Sequence, residues 1–538
     1  MKFLLLGAAS ACSLAACPTP VAAQMHMPGM TMPMPTKKAP EKKVSTKKPT
    51  AKNSTPRNAK PKKTTSTKAA RTHRHKTTEG KTVPMDHGTM SMPTQPQASS
   101  GSTMQMPMDH SQMHSGAMAP PSQPAPGAQN APLDHQQMGQ MPMAGMQHGD
   151  HGMTMKAALG PYPERWESSG TAWQPDGSIP MTGPMLMSGD WMLMAHGTLN
   201  LVYDHQSGPR GDSKAFASGM VMGMAQHPLG DGIMQFRAML SPDPLMGPRG
   251  YPLLLASGET ANGRDRLIDR QHPHDFFMEL SASASQNIGP KSSVFLYAGL
   301  PGEPAFGPPS FMHRESIMDS PEAPITHHWL DSTHITFGVV TAGMVLDRVK
   351  IEASRFNGRE PDQHRWNIET GPLDSTSVRV SWNPTRTLAL QGSWAHLVDP
   401  EQLEPGVNQT RWSTSALWAN DIAPGWHAAA TLAWGRKSSQ RHNDDGVAAE
   451  ASLNHAGWTL FGRAEMVENR ELIQAQDEPA YRVGKVSLGA LRDFRIADHF
   501  SLGAGGLFSV NFVPDALAPL YGGYNPTGAM AFVRLKLN

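Results

Sequence analysis

From Trp191 to the last residue the sequence alternates with a period of two. In 191–204, Trp191, Leu193, Ala195, Gly197, Leu199, Leu201 and Tyr203 fall on one side. Met192, Met194, His196, Thr198, Asn200, Val202 and Asp204 fall on the other. Successive side chains of a strand point to opposite faces, so the run reads as a strand with one face suited to lipid and one suited to water. The pattern recurs. Phe276, Met278, Leu280, Ala282 and Ala284 oppose Phe277, Glu279, Ser281, Ser283 and Ser285. Val349, Ile351 and Ala353 oppose Lys350, Glu352 and Ser354, and Ala531, Val533 and Leu535 oppose Phe532, Arg534 and Lys536. Turn signals such as Asn383-Pro384-Thr385 and Ala456-Gly457 separate the runs.

The spacing predicts roughly 16 strands, near 191–204, 214–226, 232–241, 274–286, 292–300, 333–343, 347–357, 374–382, 386–397, 409–420, 425–436, 446–454, 457–467, 481–491, 498–510 and 527–538. A soluble sandwich shows the same alternation, but with shorter strands and less aromatic punctuation at their ends. The predicted fold is all-β: a transmembrane outer-membrane β-barrel of antiparallel strands over 191–538, preceded by a long disordered N-terminal region. The Pro-, Gly- and charge-rich stretches 242–273 and 301–332 are expected as long outer loops, with short turns on the periplasmic side. Arg237, Glu279, Lys350, Glu352, Arg379, Glu450, Arg463, Glu465, Arg534 and Lys536 are expected to face the lumen and to form a salt-bridge network there.

The first 190 residues are of another kind. Lys2 precedes the apolar run Phe3–Ala9, which reads as a secretory signal over 1–23 with cleavage after Val21-Ala22-Ala23. Leu14-Ala15-Ala16-Cys17 also fits a lipobox, which would lipidate Cys17. Cys12 and Cys17 are the chain's 2 cysteines. Cleavage after Ala23 therefore leaves no disulfide and no thiolate ligand. Residues 37–81 hold 13 Lys and 3 Arg against Glu41 and Glu79, a balance of +14 within a net charge of +2. Without aromatic residues or a helical period, this segment reads as a solvated spacer within a disordered region over 24–160. Lipopolysaccharide phosphates are its natural partner. The export signal argues against nucleic acid. Residues 161–190, rich in Trp, read as a connector into the barrel.

Residues 85–155 contain one phrase three times: Asp86-His87-Gly88-Thr89-Met90, Asp109-His110-Ser111-Gln112-Met113 and Asp134-His135-Gln136-Gln137-Met138. Met85, Met108, His148, His151 and Met153 lie around it, and 19 of the 37 methionines fall between Met25 and Met155. Thioether is a soft, neutral ligand suited to Cu(I) and Ag(I), and imidazole suits Cu(II) as well. A flexible chain can gather such donors from separate repeats. The Met-Asp-His-x-x-Met tail resembles that of the copper-resistance protein B family of outer-membrane proteins, which combine a signal peptide, a Met/His-rich periplasmic segment and a C-terminal barrel. The resemblance implies copper binding and tolerance, with Met85, His87, Met90, Met108, His110, Met113, His135 and Met138 as ligands. This chain departs from the family in its longer barrel region and in ending on Leu537-Asn538 instead of an aromatic residue.

Within the barrel, Met192, Met194 and His196 share one face, as do Met220, Met222 and Met224. These six residues could continue a soft-metal path from the tail, or pack in the wall, or touch lipid. Arg270-Gln271-His272-Pro273-His274-Asp275 is the densest polar cluster. With Met312-His313-Arg314-Glu315, His327-His328 and His334 it reads either as a metal site or as a hydrogen-bonded network at the barrel mouth. The sequence contains no Gly-x-Ser-x-Gly, P-loop or His-Glu-x-x-His signature, so no enzyme is expected. The leading expectation is an outer-membrane copper-binding protein that contributes to copper tolerance by sequestering copper, Cu(I) above Ag(I) or Cu(II), through its Met/His repeats, with coupling to a barrel pore and contact with periplasmic copper-handling proteins as open extensions. A general porin-like channel with an incidental tail, and a lipid-anchored periplasmic metal-binding protein, are the alternatives.

Overall fold

The computed structural model describes residues 155–473 and 479–538. The signal peptide, Cys17, the basic segment and the tail ligands from Met85 to Met153 lie outside the described residues. Nineteen strands occur among those residues: β1 (Met185–Ser188), β2 (Trp191–Gln206), β3 (Ser213–Leu229), β4 (Gly232–Leu240), β5 (Tyr251–Thr260), β6 (Arg266–Gln271), β7 (Phe277–Gly289), β8 (Ser292–Gly299), β9 (Val339–Leu346), β10 (Val349–Phe356), β11 (Ser375–Trp382), β12 (Leu388–Leu397), β13 (Gln409–Ala423), β14 (Trp426–Ser438), β15 (Asn443–His455), β16 (Trp458–Asn469), β17 (Tyr481–Ala497), β18 (Phe500–Phe512) and β19 (Thr527–Leu537). Strands β2–β4 and β7–β19 each pair antiparallel with the next, and β19 pairs back onto β2. The result is a closed 16-stranded barrel.

Each predicted strand has its counterpart, with boundaries shifted by a few residues and one start displaced by six. β9 begins at Val339 and not near 333, because Ser332–His334 form a 3-10 turn belonging to the preceding connection. Connections alternate in length. Short turns such as Gly230-Asp231, Asp347-Arg348 and Ala456-Gly457 mark one end, and long connections such as 241–276 and 300–338 mark the other.

The alternation lies in space as it lies in sequence. Leu201, Leu296, Leu432 and Leu488 stand out from the wall, each 59–69 % exposed. Trp382, Trp426, Trp458 and Phe500 mark the short-turn rim, and Tyr203, Trp412 and Phe512 the long-loop rim. An apolar outer band between aromatic rims fits lipid. The chain is a membrane-spanning barrel of the outer-membrane type.

The lumen is filled. Residues 155–184, 241–276 and 300–338 fold into it, and the hairpin β5–β6 and the helical turn α1 (His327–Leu330) lie within the latter two. Leu253, Leu254, Phe311, Trp329 and Leu330 from these segments pack against lumen-facing Phe461, Val483, Leu491 and Phe532. Tyr162, Trp166 and Trp173, expected in a connector, form a ring cluster with centroids 4.8–5.6 Å apart. The predicted lumen-facing charges are buried and ion-paired except Lys536, which is half-buried. Some pair along the wall, as Arg237 does with Glu279 and Arg463 with Glu465, and others are met by the inserted segments. Arg314 makes two bonds of 2.7 Å to Glu450 and one of 3.0 Å to Asp331. Glu322 receives Arg463 and Lys485, and Glu465 Oε1 accepts from Thr326 N at 3.0 Å and Oγ1 at 2.7 Å. Lys350 donates to Thr171 O, and Thr171 Oγ1 to Glu352. This explains why the long connections turn inward: a closed lumen lined with charge needs counter-charges, and these segments carry them.

One predicted face is corrected. Met278 was placed with Leu280 on the lipid side, yet it is fully buried. Met239 pairs with Glu279 and Leu240 with Phe277, so Met278 is an extra, unpaired residue. Such a β-bulge re-aims a side chain that alternation alone would send outward.

Breaking a buried, hydrogen-bonded ion pair by removing one partner costs about 3–5 kcal/mol. Glu450→Ala, which removes the wall partner of Arg314 and leaves it only Asp331 of its own segment, is therefore expected to loosen the inserted segment while the wall persists. Limited proteolysis should cut the variant within 300–338 and spare the wild type, with heat-modifiable gel mobility retained in both.

Candidate functional site: a methionine wall below a histidine cluster

The six barrel residues singled out by sequence lie together on the lumen side of β2 and β3. Register brings Met194 opposite Met224, His196 opposite Met222 and Thr198 opposite Met220. Directly opposed side chains in a sheet have Cβ atoms about 4.5–5.5 Å apart, close enough for two thioethers to share one ion. The rows extend sideways. Met222 faces Met239 on β4, and Met185 on β1 faces Met194. Six buried methionines (Met155, Met194, Met222, Met224, Met239 and Met278) form one cluster, closed above by Ile335 and Phe337. Met181, Met185, Met192, Met220 and Met312 pack against it, partly buried.

All six side chains are more than nine-tenths buried. Sequence reasoning missed Met155, Met181, Met185, Met239, Met278 and Met312. Met239 carried a signal, since it shares the polar face of β4 with Gln235 and Arg237. The Met185-Leu186-Met187 triplet carried another. Met278 and Met312 carried none, because a bulge and a folded-in loop put them there.

A cavity of about 550 Å³ runs from the short-turn rim at Gly425, Ala456 and Gly457, past Met181, Met220, Met312 and His196, to Gln271, His272 and His274. Its lining at mid-height includes the His196–His313 pair, with ring centroids 6.4 Å apart. The Nε2 atoms of both rings are buried without a hydrogen-bond partner. Burial, and then the neighbouring His196, push His313 down to about 3, so its ring is neutral. A neutral imidazole beside thioethers is a donor set for Cu(I).

At and beyond the inner end of the cavity lie the other histidines. His272 and His274 follow β6, His327 and His328 open α1, and His334 closes the 3-10 turn. The sequence offered a metal site or a hydrogen-bonded network here, and the structure brings all three segments together with the network formed. His274 Nδ1 lies 2.8 Å from Asp243, His327 Nδ1 2.7 Å from Asp331, His334 Nδ1 2.8 Å from Asp331 O, and His328 Nδ1 3.2 Å from Glu360. Burial holds His272, His327 and His334 below the ordinary imidazole range. His328 is the exception: burial lowers it, but Glu360 more than offsets this and raises it.

No protein-family model matches the chain, and no curated protein does. Solved structures similar to it include OmpT of Vibrio cholerae, at 8 % identity and a TM-score of 0.38, covering 66 % of this chain and 100 % of that one. Pseudomonas putida OprB shares 10 % identity at a TM-score of 0.42, over 64 % of this chain and 94 % of that one. Salmonella typhi OmpF in complex with daunomycin shares 12 % at 0.41, over 65 % and 100 %.

Met→Leu conserves volume and costs less than about 1.5 kcal/mol per site. The triple variant Met222→Leu, Met224→Leu, Met239→Leu is thus expected to fold as the wild type does. It should bind at least one Ag(I) fewer per chain, read by mass spectrometry of the intact protein. Equal Ag(I) content would make the methionines packing residues only.

Proposed function

We propose that the protein binds copper at the outer membrane and contributes to copper tolerance, capturing the ion with its Met/His-rich tail and passing it to the methionine wall inside the barrel. The observation that carries this reading is the gathering of soft donors on one side of one closed lumen. Eleven methionines from β1, β2, β3, β4, β7 and two inserted segments meet there, where a barrel wall ordinarily presents polar residues to water. Leucine or phenylalanine would fill the same space with fewer degrees of freedom. Methionine adds a donor that does not titrate.

Cu(I) is the ion these donors suit best. Ag(I) shares its softness, and Cu(II) would engage the histidines. The cavity opens at the short-turn rim, which in this barrel class faces the periplasm. Residue 155 lies beside that rim, where the backbone of the next residue, Lys156, exchanges hydrogen bonds with Gln226. The tail that precedes it would then be periplasmic, next to the mouth, where periplasmic copper-handling proteins could load or unload it. The basic segment 37–81 suits contact with lipopolysaccharide phosphates.

A porin-like channel is the second reading, supported by the strand count. Against it stands the filled lumen, in which Arg314, Arg379, Arg463 and Lys485 are spent on holding inserted segments.

A strain producing the chain without residues 85–155 is expected to lose copper tolerance relative to the wild type, with the barrel still in the outer-membrane fraction. Wild-type tolerance would remove the tail from the function. Planar-bilayer recordings separate the two readings: a steady open conductance in the wild type favours the channel.

A further inference from the structure

Three histidines at the inner end of the cavity are held in one tautomer. Each donates its Nδ1 proton to a fixed acceptor: His274 to Asp243 Oδ2, His327 to Asp331 Oδ1, His334 to the Asp331 carbonyl. Proton on Nδ1 means lone pair on Nε2, which is the arrangement that protein ligands of first-row metals adopt. The Nε2 atoms of His274 and His334 are buried without a hydrogen-bond partner. Both residues are more than nine-tenths buried. A buried lone pair left unmatched is costly, and two on rings whose centroids lie 5.3 Å apart call for an occupant.

The ring spacing fits an ion. Two imidazoles bound through nitrogen to one tetrahedral ion, at about 2.0–2.1 Å each, bring their ring centroids to about 5 Å. The His274–His334 centroids are 5.3 Å apart and the His327–His334 centroids 5.1 Å. His272 stands 6.1 Å from His327, with its Nε2 3.1 Å from Glu259. Phe311 closes the apolar side, 5.7 Å from His327. Among the described residues no three His, Cys, Asp or Glu side chains already form a coordination sphere. The imidazoles must therefore tilt about their Nδ1 anchors to close on an ion.

We propose that His274, His327 and His334 form a second metal site, for a borderline divalent cation such as Zn(II) or Cu(II), at the closed end of the lumen cavity. The site rests on the inserted segments alone and stands whether or not the tail and methionine wall carry copper. Asp243 favours a cation over an anion, since its carboxylate is met by His274 and by the backbone N–H of Gly219. Asp331 is already matched by Arg314 and serves as the rigid anchor for two of the rings. The cavity supplies the way in, because it reaches His272 and His274 from the short-turn rim. Imidazole nitrogen, not thioether, lines this end, so the two halves of the lumen sort borderline from soft.

The test uses purified full chain in detergent and Zn(II) as the probe, counted after dialysis against a weak chelator. His274→Gln and His334→Gln are each expected to hold one Zn(II) fewer per chain than the wild type. Exposed His205→Gln is expected to hold as many as the wild type. Asp243→Asn keeps an acceptor for His274 but loses the carboxylate, and should weaken zinc at this site about 10–100-fold. Replacing Zn(II) with Co(II) should give the visible bands of a tetrahedral nitrogen site in the wild type and lose them in His334→Gln. Equal zinc content in the wild type and both glutamine variants, all heat-modifiable, overturns the proposal. Should a glutamine variant fail to fold, unchanged zinc affinity in Asp243→Asn overturns it equally. Ag(I) binding by the methionine wall is read separately, so either site can fail alone.

Discussion

Everything in this barrel follows from the fact that lipid satisfies no backbone hydrogen bond. Sixteen strands must therefore close on one another, and β19 must meet β2. Closure fixes two environments at once. Alternation sends Leu201, Leu296 and Leu488 out and Lys350, Glu352, Arg379, Arg463 and Lys485 in. The inward charges then stand in a confined space, and the long connections carry what neutralises them. Arg314 and Glu322 are points where the inserted segment is pinned to the wall, and Asp331 ties that segment together through Arg314. Those same segments deliver the histidines, so the site exists because the wall is charged.

The wall was legible in the sequence and the lumen only in part. A period of two is a local property, readable from Trp191 onwards without knowing any partner. Strand positions and the inward face of Met192, Met194, His196, Met220, Met222 and Met224 followed from it. What fills the lumen is non-local. Arg314 meets Glu450, and Thr326 meets Glu465, across more than 130 residues of chain. No spacing rule announces such pairs. Stretches rich in Pro, Gly and charge look like outer loops until the demand for counter-charge is counted. The histidine pattern at 272–274 and 327–334 was visible as chemistry. Its convergence depends on two connections folding inward together. The tail repeats remain a sequence argument, since residues up to 154 lie outside the described structure.

The methionine wall and the histidine cluster differ in what they ask of their surroundings. Thioethers are neutral and can be buried at no electrostatic cost, so they pack much as leucine does. Imidazoles must be told which nitrogen to protonate, and Asp243 and Asp331 do this. The first site is cheap to build and loosely specified. The second needs a supporting carboxylate for nearly every ring, which is why it sits among the most firmly pinned loops.

The bulge at Met278 gives the barrel a way to change its contents without changing its wall. A single unpaired residue on β7 turns inward while Leu280 and Ala282 keep facing out. Strand number, closure and the greasy exterior are untouched. A lineage could thus add or remove one sulfur at a time through one-residue insertions and deletions at strand ends, changing what the interior presents while the membrane sees the same surface.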